Sequence, residues 1–333
     1  MRVGVVGAGW VTQYHLPAWL RLAGVTLVSI CDPAAEVLEQ RANEFAIPQR
    51  YGSLEEMLER AELDVLDIAS PRHLHAEHVR AGAARGLPIL CQKPLGVDLA
   101  QAEALVRDVE GRVPFMVHEN WRFRPYYREL KRWLDEGVLG EIIAIRLDFH
   151  SSGMIAGADG LRPALVRQPF FRGERRLLVM EVLIHHLDTL RFLFGEFELH
   201  AARLGRSNGE IVGEDSAILS LVRQGDGVPL HVSGNLAVHG APLGPSDQLW
   251  IWGAKGTIHL AGSTLRLLGP MEREAAFEPA QSYQQAYDGA IAHFIDQLRA
   301  GGAFETSAAD NLRTLRLVEA AYQVSGFQPA PIS

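Results

Sequence analysis

Gly7 and Gly9 stand between a short apolar run, residues 3–6, and residues 11–23, whose apolar side chains recur at helical spacing. Glycine at a strand-to-helix turn lets the backbone approach a pyrophosphate, which then meets the free N–H groups and positive dipole end of the helix. Thr12 occupies the third glycine position of the G-x-G-x-x-G pattern, so the fingerprint is imperfect. The pattern still predicts a dinucleotide-phosphate site. Its predicted contacts are Gly7, Gly9, Trp10 and Val11.

A carboxylate follows the next predicted strand. Residues 25–31 have the pattern of a buried strand, and Asp32 comes directly after it, at the distance where a carboxylate binds the adenosine ribose of a dinucleotide. The alternative interpretation is that Asp32 caps the following helix. A carboxylate here repels the 2′-phosphate of NADP, and no Arg or Lys follows before Arg41. The sequence therefore favours NAD over NADP.

Two more predicted strand ends carry side chains that can exchange protons. Ser70-Pro71, with His73 and His75 nearby, follows one apolar run, and Gln92-Lys93-Pro94 follows the next. Ligands of a doubly wound sheet bind at the carboxyl ends of its strands. Lys93, fixed by the following proline, can accept a proton from a substrate hydroxyl; the alternative, a solvated lysine in a turn, is commoner for an isolated lysine. The cofactor contacts expected at these two ends are Ser70, Pro71, His75, Gln92 and Lys93.

A third group of polar residues interrupts the apolar segment LLVMEVLIHHLDTLRFLFGE. Spacings of four and three place Glu181, His185 and Asp188 on one face of a helix, which must meet a ligand, a cavity or internal partners. A zinc site is not predicted, because no third ligand is evident beside Glu181 and His185 and no cysteine lies nearby. In the alternative interpretation the acids pair with Arg176 or Arg191.

Strands and helices alternate through residues 1–120, and this order places the glycine turn, Asp32 and the residues around Ser70 and Lys93 at strand ends. Ser53 and Glu56 have capping-box spacing at one helix start, and Asp98 is predicted to open another helix. The alternation predicts a doubly wound parallel sheet, a Rossmann NAD-binding domain, over residues 1–120. The predicted strands are residues 3–6, 25–31, 63–69, 88–91 and 115–118.

Residues 121–333 have a different pattern. After a helix over residues 126–135, residues 141–150 alternate, with Ile143, Ile145, Leu147 and Phe149 on one face, as in an antiparallel strand buried on one side. Similar runs recur at residues 199–204, 217–222, 230–235, 248–252, 257–260 and 264–268. These runs predict an open, mainly antiparallel sheet, which would serve substrate binding and oligomerisation. Its apolar face predicts a homodimer or homotetramer.

Helices and one long loop complete the prediction for this second domain. Helices are predicted over residues 178–194, 283–300 and 308–325. The segment 151–176 is rich in Gly and Arg, lacks periodicity and is long enough to be a functional loop.

The composition limits the classes of function. The chain has 333 residues, a hydrophobic content of 47% and a net charge of −8, which are ordinary for a globular enzyme and give no general attraction to nucleic acid or anionic lipid. No apolar run reaches membrane-spanning length, and the predicted strand at residue 2 leaves no room for a signal peptide. Cys31 and Cys91 end predicted buried strands, as expected of reduced thiols. We expect a cytoplasmic protein with no nucleic-acid or membrane partner.

Several motifs together resemble the Gfo/Idh/MocA family of NAD(P)-dependent sugar and polyol dehydrogenases. The resemblance covers nearly the whole chain, and CQKPLG with MVHENWRF is similar to the subgroup that contains apiose dehydrogenases. It implies a carbohydrate substrate and an enzyme that acts on CH–OH groups. The motifs are GAGWVTQYH, SPRHLHAEH, CQKPLG, ENWRFRP with GVLGEI, EVLIHHLDTLRFLFGE and HFIDQLRAG.

The resemblance also implies site residues. Members typically carry Glu-Lys-Pro where this chain has Gln92-Lys93-Pro94, which implies the catalytic role of that lysine for Lys93. They typically carry Asp-x-Gly-x-His where this chain has residues 181–185, which carries the Asp role onto Glu181 and the His role onto His185. Gln92, Glu181 and Leu183 depart from the pattern. We therefore expect a pocket unlike that of inositol dehydrogenase, since Leu183 fills space that glycine leaves open.

The implied reaction passes a hydride between a hydroxyl-bearing carbon and nicotinamide. Lys93 or His185 takes the hydroxyl proton, and Glu181 orients whichever of the two side chains does so. Asn120, Arg122 and Tyr287 are candidates for substrate contacts, although Arg122 can equally be a structural ion-pair partner. A simple structural protein is the least favoured alternative, and two others stay open. One is a glycosidase of the same fold that uses NAD transiently, and the other is a non-catalytic sensor of NAD or sugar.

Overall fold

The computed structural model describes residues 1–244 and 246–332, which divide into two compact units. The first unit comprises Met1–Phe123 and Tyr283–Leu315, and the second comprises Arg124–Ser282 and the segment from Arg316 onward. The first boundary lies close to the one predicted at residue 120. The assignment of Tyr283–Leu315 to the first unit differs from the prediction, because helical periodicity does not tell which sheet a helix covers.

Most helices of the described residues were predicted, α7 being an exception, and N-terminal caps explain two of the starts. Ser53 Oγ accepts from the Glu56 N–H at 3.2 Å, and Asp98 Oδ1 accepts from the Gln101 N–H at 2.8 Å. The α-helices are α1 Thr12–Leu20, α2 Ala35–Glu44, α3 Leu54–Arg60, α4 His75–Ala84, α5 Leu99–Val109, α6 Pro125–Asp135, α7 Pro163–Arg167, α8 Ile184–Phe194, α9 Pro279–Ala300 and α10 Ala308–Ser325.

The first unit is built on a parallel sheet whose strand order is β3-β2-β1-β4-β5-β6. The reversal of order between β1 and β4 creates the crevice at which such sheets bind dinucleotides. Strand β3 has three residues, too few for a recognisable pattern, and was not predicted. The strands are β1 Arg2–Val6, β2 Thr26–Cys31, β3 Gln49–Tyr51, β4 Val65–Ile68, β5 Ile89–Gln92 and β6 Phe115–His118.

The core of the first unit explains why α9 belongs to it. Val3 and Val5 of β1 are fully buried in the same cluster as Trp19 of α1 and Phe294 of α9. The rings of Trp19 and Phe294 meet edge to face, with centroids 6.3 Å apart. Burying an aromatic or aliphatic side chain of this size contributes about 1.5–3 kcal/mol, so α9 is a substantial part of this core.

The second unit contains an open sheet with the order β14-β13-β12-β11-β7-β10-β9-β8. Every pairing is antiparallel except that of β7 with β10. The predicted fold class, a Rossmann sheet followed by a mainly antiparallel sheet with helices, is therefore confirmed. The strands are β7 Ile142–His150, β8 Phe197–Gly205, β9 Ser216–Arg223, β10 Pro229–Asn235, β11 Asp247–Gly253, β12 Gly256–Ala261, β13 Thr264–Leu268 and β14 Arg273–Ala276.

Strand β7 buries one face, with one departure from the prediction. Ile145, Leu147 and Phe149 are buried, whereas Ile143 is 58% exposed. Pairing with β10 begins only at Ile145, so Ile143 lies beyond the part of β7 that has neighbours on both sides.

Two predicted segments of the second unit have more structure than expected. The predicted helix over residues 178–194 begins with a π-helical segment, Leu178–Leu183, before α8 continues it. The predicted loop 151–176 contains α7 and a 3₁₀ turn, Pro169–Arg172. Across the described chain, no helix has the length and apolar character needed to cross a membrane.

Candidate active site

The turn after β1 requires glycine at one position and leaves its backbone open at another. Gly7 has φ +100°, and a Cβ there would lie 2.7 Å from the carbonyl oxygen of Ala69, so only glycine fits. A Cβ at Gly9 would meet no atom within 4 Å, so this backbone faces open space. Thr12, in place of the third glycine, is buried and its hydroxyl donates to the Gly9 carbonyl at 2.7 Å. The imperfect fingerprint therefore forms an ordered turn, with Trp10 half exposed beside it.

Asp32 supports this turn and the next helix together. Its Oδ2 accepts from the Ala8 N–H at 2.8 Å, and its Oδ1 accepts from the Ala34 N–H at 2.8 Å. Asp32 does not cap α2, because the N-cap residue of that helix is Ala34, which has no side-chain cap hydrogen bond. Each carboxylate oxygen of Asp32 retains a second lone pair for a ribose hydroxyl.

The end of β4 is tied to the end of β5 through His75. The His75 ring is buried, with Nδ1 2.8 Å from the Pro94 carbonyl oxygen and Nε2 2.8 Å from the Ser70 carbonyl oxygen. Burial lowers the pKa of His75 to about 4, although the hydrogen bonds with the two carbonyls act to raise it. Both ring nitrogens face backbone, so His75 positions Ser70 and Pro94 rather than presenting its ring to a ligand. The Ser70 hydroxyl lies 2.9 Å from Nδ1 of His78, and Pro71 is exposed.

Gln92 and Lys93 lie above a network of buried polar side chains. The Lys93 N–H donates to Gln92 Oε1 at 3.2 Å, and Gln92 Nε2 lies 2.7 Å from Nε2 of His15 and 3.1 Å from Nδ1 of His118. Nδ1 of His15 lies 2.8 Å from Oδ2 of the fully buried Asp67. The sequence analysis missed His15, Asp67 and His118. The feature of the sequence that could have indicated this network is Asp67, a charged residue within an otherwise apolar strand.

The three predicted substrate residues have different surroundings. Asn120 is buried, and its Nδ2 has no hydrogen-bond partner among the described residues, which suits a donor for a ligand. Arg122 donates to Asp310 Oδ2 at 2.9 Å and to the Glu305 carbonyl at 3.0 Å. The interpretation of Arg122 as a structural ion-pair partner is therefore favoured over a substrate contact. Tyr287 of α9 is buried, with its ring 5.2 Å from that of His118.

The Glu181 group lies in the second unit, and its three members differ in burial. Glu181 is in the π-helical segment and is partly exposed, His185 opens α8 and is 9% exposed, and Asp188 is fully buried. Arg191 lies 3.9 Å from Asp188 and binds Glu196. Arg176 binds Glu319. The contact of Asp188 with Arg191 is therefore the pairing of the alternative interpretation that the structure supports. No group of three or more His, Cys, Asp or Glu side chains with metal-binding geometry occurs among the described residues.

Leu183 packs against the sheet of the second unit. Its side chain is fully buried, and its Cδ1 is the atom that a Cβ at Gly234 of β10 would meet, at 2.9 Å. Its expected effect on the shape of the pocket stays a prediction. The small residue on β10 accommodates the large one on the helix.

A buried carboxylate holds the start of the π-helical segment. Glu214 Oε2 accepts from the Leu177 N–H at 3.2 Å, and its Oε1 accepts from the Val179 N–H at 2.9 Å and from the Tyr322 hydroxyl at 2.5 Å. Burial raises the pKa of Glu214, while these donors act to lower it. The sequence analysis also missed Glu214, since its partners are distant along the chain.

A second buried cluster anchors α8 beside His185. His186 Nε2 lies 2.8 Å from Asp247 Oδ1, and the Tyr127 hydroxyl donates to Asp247 Oδ2 at 2.6 Å. Burial opposes the ionisation of Asp247, but His186, Arg124 and the Tyr127 hydroxyl outweigh it and hold the pKa of this carboxyl well below its usual range. The cluster fixes the neighbouring His185 backbone to β11.

Comparison with known proteins identifies the family. Residues 1–116 match the model of the oxidoreductase family with an NAD-binding Rossmann fold, and residues 127–259 match the GFO/IDH/MocA C-terminal domain. The D-apiose dehydrogenase of Paraburkholderia graminis is 33% identical, over 96% of this chain and 86% of its own. The chain belongs to the Gfo/Idh/MocA family.

Two further relatives of this Gfo/Idh/MocA chain are similar along their length. The D-apiose dehydrogenase of Rhizobium rhizogenes is 31% identical, over 97% of this chain and 94% of its own. A crystal structure of an oxidoreductase from Agrobacterium radiobacter, in complex with NAD⁺, L-tartaric acid and magnesium, is 30% identical with a TM-score of 0.90, covering 100% of this chain and 98% of the other.

The predicted cofactor is confirmed for this Gfo/Idh/MocA member, which is an NAD-dependent oxidoreductase. The residues present fit a dinucleotide, because the Gly9 backbone faces open space and Asp32 retains capacity for a ribose. The individual contacts of Gly7, Gly9, Trp10, Val11 and Asp32 stay predictions.

Proposed function

We propose that this chain oxidises a secondary or hemiacetal hydroxyl of a small sugar, with D-apiose as the first candidate. The observation that carries the proposal is that two relatives named D-apiose dehydrogenases are 33% and 31% identical over 96% and 97% of the chain. Similarity over both units extends to the parts that choose a substrate, and not only to the nucleotide-binding sheet.

The first unit holds the cofactor and supplies the proposed base. The turn around Gly9 and the Asp32 carboxylate would bind the pyrophosphate and the adenosine ribose. NAD, when bound, supplies the hydride acceptor. Lys93 takes the hydroxyl proton, and the buried Nδ2 of Asn120 donates to a ligand oxygen. Similarity to the family supports roles for Glu181 and His185 in the same reaction. His185 is the alternative base, and Glu181 orients the group that takes the proton.

We further propose a homodimer or homotetramer formed through the outer face of the second unit's sheet. Trp250 stacks on His259 with centroids 3.6 Å apart and lies alongside Trp252 at 6.1 Å. Ile218, on β9, is 59% exposed. The same face also carries polar residues, among them the Arg146–Asp148 ion pair. The exposed aromatic and aliphatic side chains are costly to leave in water, which supports burial of this face between copies.

The cytoplasm is the proposed location. Cys31 and Cys91 are both buried free thiols, and burial raises the pKa of Cys31 to about 12. Thiols of this kind resist oxidation and suit a reducing compartment.

The test is NADH absorbance on incubating the purified chain with NAD and a panel of sugars. The panel contains D-apiose, other branched and linear pentoses, hexoses, inositols and their lactones, and every well is repeated with NADP. L-Tartrate is included, because the Agrobacterium radiobacter protein was crystallised with it. We expect NADH from D-apiose and a much weaker signal with NADP, since Asp32 repels a 2′-phosphate.

Each other outcome identifies a different function. Turnover of an inositol or of tartrate, but not of D-apiose, would reject the sugar assignment while keeping the dehydrogenase. Cleavage of a glycoside without net NADH would favour the NAD-assisted glycosidase. Binding of NAD and sugar without either product would favour the sensor.

A further inference from the structure

Buried polar side chains form a continuous chain beneath the carboxyl ends of β4, β5 and β6. The chain runs from Trp19 through Asp67 and His15 to Gln92, which also contacts His118. Gln92 is 9% exposed and the other four are fully buried. Burying so many polar groups is costly unless their hydrogen bonds are made in a defined pattern.

The backbone N–H of Lys93 determines which way the Gln92 amide faces. It donates to Oε1 at 3.2 Å, so Oε1 is the accepting end of the amide and Nε2 is the donating end. Nε2 lies 2.7 Å from Nε2 of His15 and 3.1 Å from Nδ1 of His118. An amide nitrogen has two hydrogens and no accepting lone pair, so both of these ring nitrogens accept.

An accepting Nε2 leaves His15 with one arrangement of its proton. The ring is neutral and carries its hydrogen on Nδ1, which donates to Oδ2 of Asp67 at 2.8 Å. The indole N–H of Trp19 donates to the same oxygen at 2.7 Å. A protonated His15 would direct an N–H at the N–H of Gln92, so protonation would break this contact.

We propose that Gln92 is a positioning residue that fixes the backbone of Lys93 and holds His15 neutral, as the Nδ1–H tautomer, beside Asp67. The role of Lys93 as base rests on the proposed function, whereas the state of His15 is a property of the protein alone. The titratable groups that face His15 from the neighbouring elements are Asp67 on β4, His118 on β6 and Tyr287 on α9.

A glutamate at position 92 would reverse the direction of the hydrogen bond to His15. Its oxygens accept, so His15 would lie between two carboxylates and bind a second proton, on Nε2. The amide of Gln92 thereby keeps an additional titrating group away from the backbone that carries Lys93.

The direct test is the ¹⁵N NMR signature of the histidines in the protein without NAD or substrate. At pH 7 we expect His15, assigned through a His15→Gln variant, to be neutral with Nδ1 protonated. In Gln92→Glu, we expect it to become imidazolium. A His15 that is imidazolium or Nε2-protonated in the unaltered protein would overturn the proposal, whatever the substrate proves to be.

Kinetics separate positioning from simple packing. We expect Gln92→Glu to lower kcat by about tenfold or more, on the scale of a displaced reacting group, and to add an ionisation to its pH profile. Gln92→Met should also lower kcat but add no ionisation, because methionine neither donates nor titrates. Identical pH profiles for the two variants would contradict the proposed role, and thermal unfolding of both verifies that each is folded.

Discussion

Lys93 is the residue on which the proposed chemistry depends most, because it is the proposed base. Its position directly after β5 and before a proline was evident in the sequence. We predict that Lys93→Met lowers kcat by about a hundredfold or more, the usual scale of acid–base catalysis. Methionine keeps the unbranched stem and loses the ammonium, so NAD binding should be unchanged in a fluorescence titration. Lys131→Met, at a lysine ion-paired with Asp135 on α6, is the matched control and should change neither quantity. Near-normal turnover would remove Lys93 from the mechanism.

Single residues were predictable where their role follows from a strand end, and not where it follows from a distant partner. Asp32 was recognisable because a carboxylate directly after a strand is a local feature. Gln92 and His15 are 77 residues apart in sequence and meet only in the folded sheet. The contact of Leu183 with Gly234 was not predictable either, since it depends on which side of the helix faces β10.

The β1–turn–α1 element contains two glycines in different surroundings. A Cβ would clash with the protein at Gly7 and would meet no protein atom at Gly9. Gly9→Ala should weaken NAD binding at least about tenfold with little change in Tm, because its Cβ meets nothing in the protein but would occupy the space of a phosphate. Gly7→Ala should lower Tm, since its φ is +100° and its Cβ would lie 2.7 Å from a carbonyl oxygen. Isothermal titration and thermal unfolding measure the two effects. Equal NAD affinity in Gly9→Ala would place the pyrophosphate elsewhere.

The π-helical segment provides a second prediction at this scale. Tyr322→Phe removes a hydrogen bond to the buried Glu214 carboxylate and should cost about 1.5–3 kcal/mol. The hydroxyl acts to lower the pKa of Glu214, so it stabilises the ionised form. The loss of stability should therefore be larger above the pKa of Glu214 than below it. Denaturant unfolding of variant and parent at pH 5 and pH 8 measures this, and a loss that shrinks as pH rises would contradict it.

Helix existence in this region was predictable and helix type was not. The apolar periodicity of residues 178–194 is local, whereas the N–H groups at the start of the π-helical segment are satisfied by Glu214, which lies on a different part of the chain. Tertiary anchoring of this kind leaves no periodic trace in the sequence.

At the scale of the molecule, the sheet of the second unit supports a prediction about assembly. Ile218→Lys places a charge on its outer face and should reduce the particle mass in size-exclusion chromatography with light scattering. Val324→Lys, at a 52% exposed residue of α10 outside the sheet, should leave the mass unchanged. A monomeric parent protein would refute the proposed dimer or tetramer directly.

The two-sheet architecture was predictable from the change of pattern near residue 120, because alternation of strands with helices and a succession of strands alone are strong, extended signals. The placement of α9 on the first unit was not predictable from the sequence. An apolar helix face shows that the helix is packed, but not which of the two sheets it packs against.

The discontinuity of the first unit also determines when it can fold. Residues 1–123 are synthesised well before Phe294 and its neighbours, which complete their core. Domains whose residues are contiguous can fold during synthesis, one after another. Here residues 1–123 cannot complete their core until α9 has been made, so the nucleotide-binding unit of this enzyme is completed only after the second unit's sheet has been synthesised.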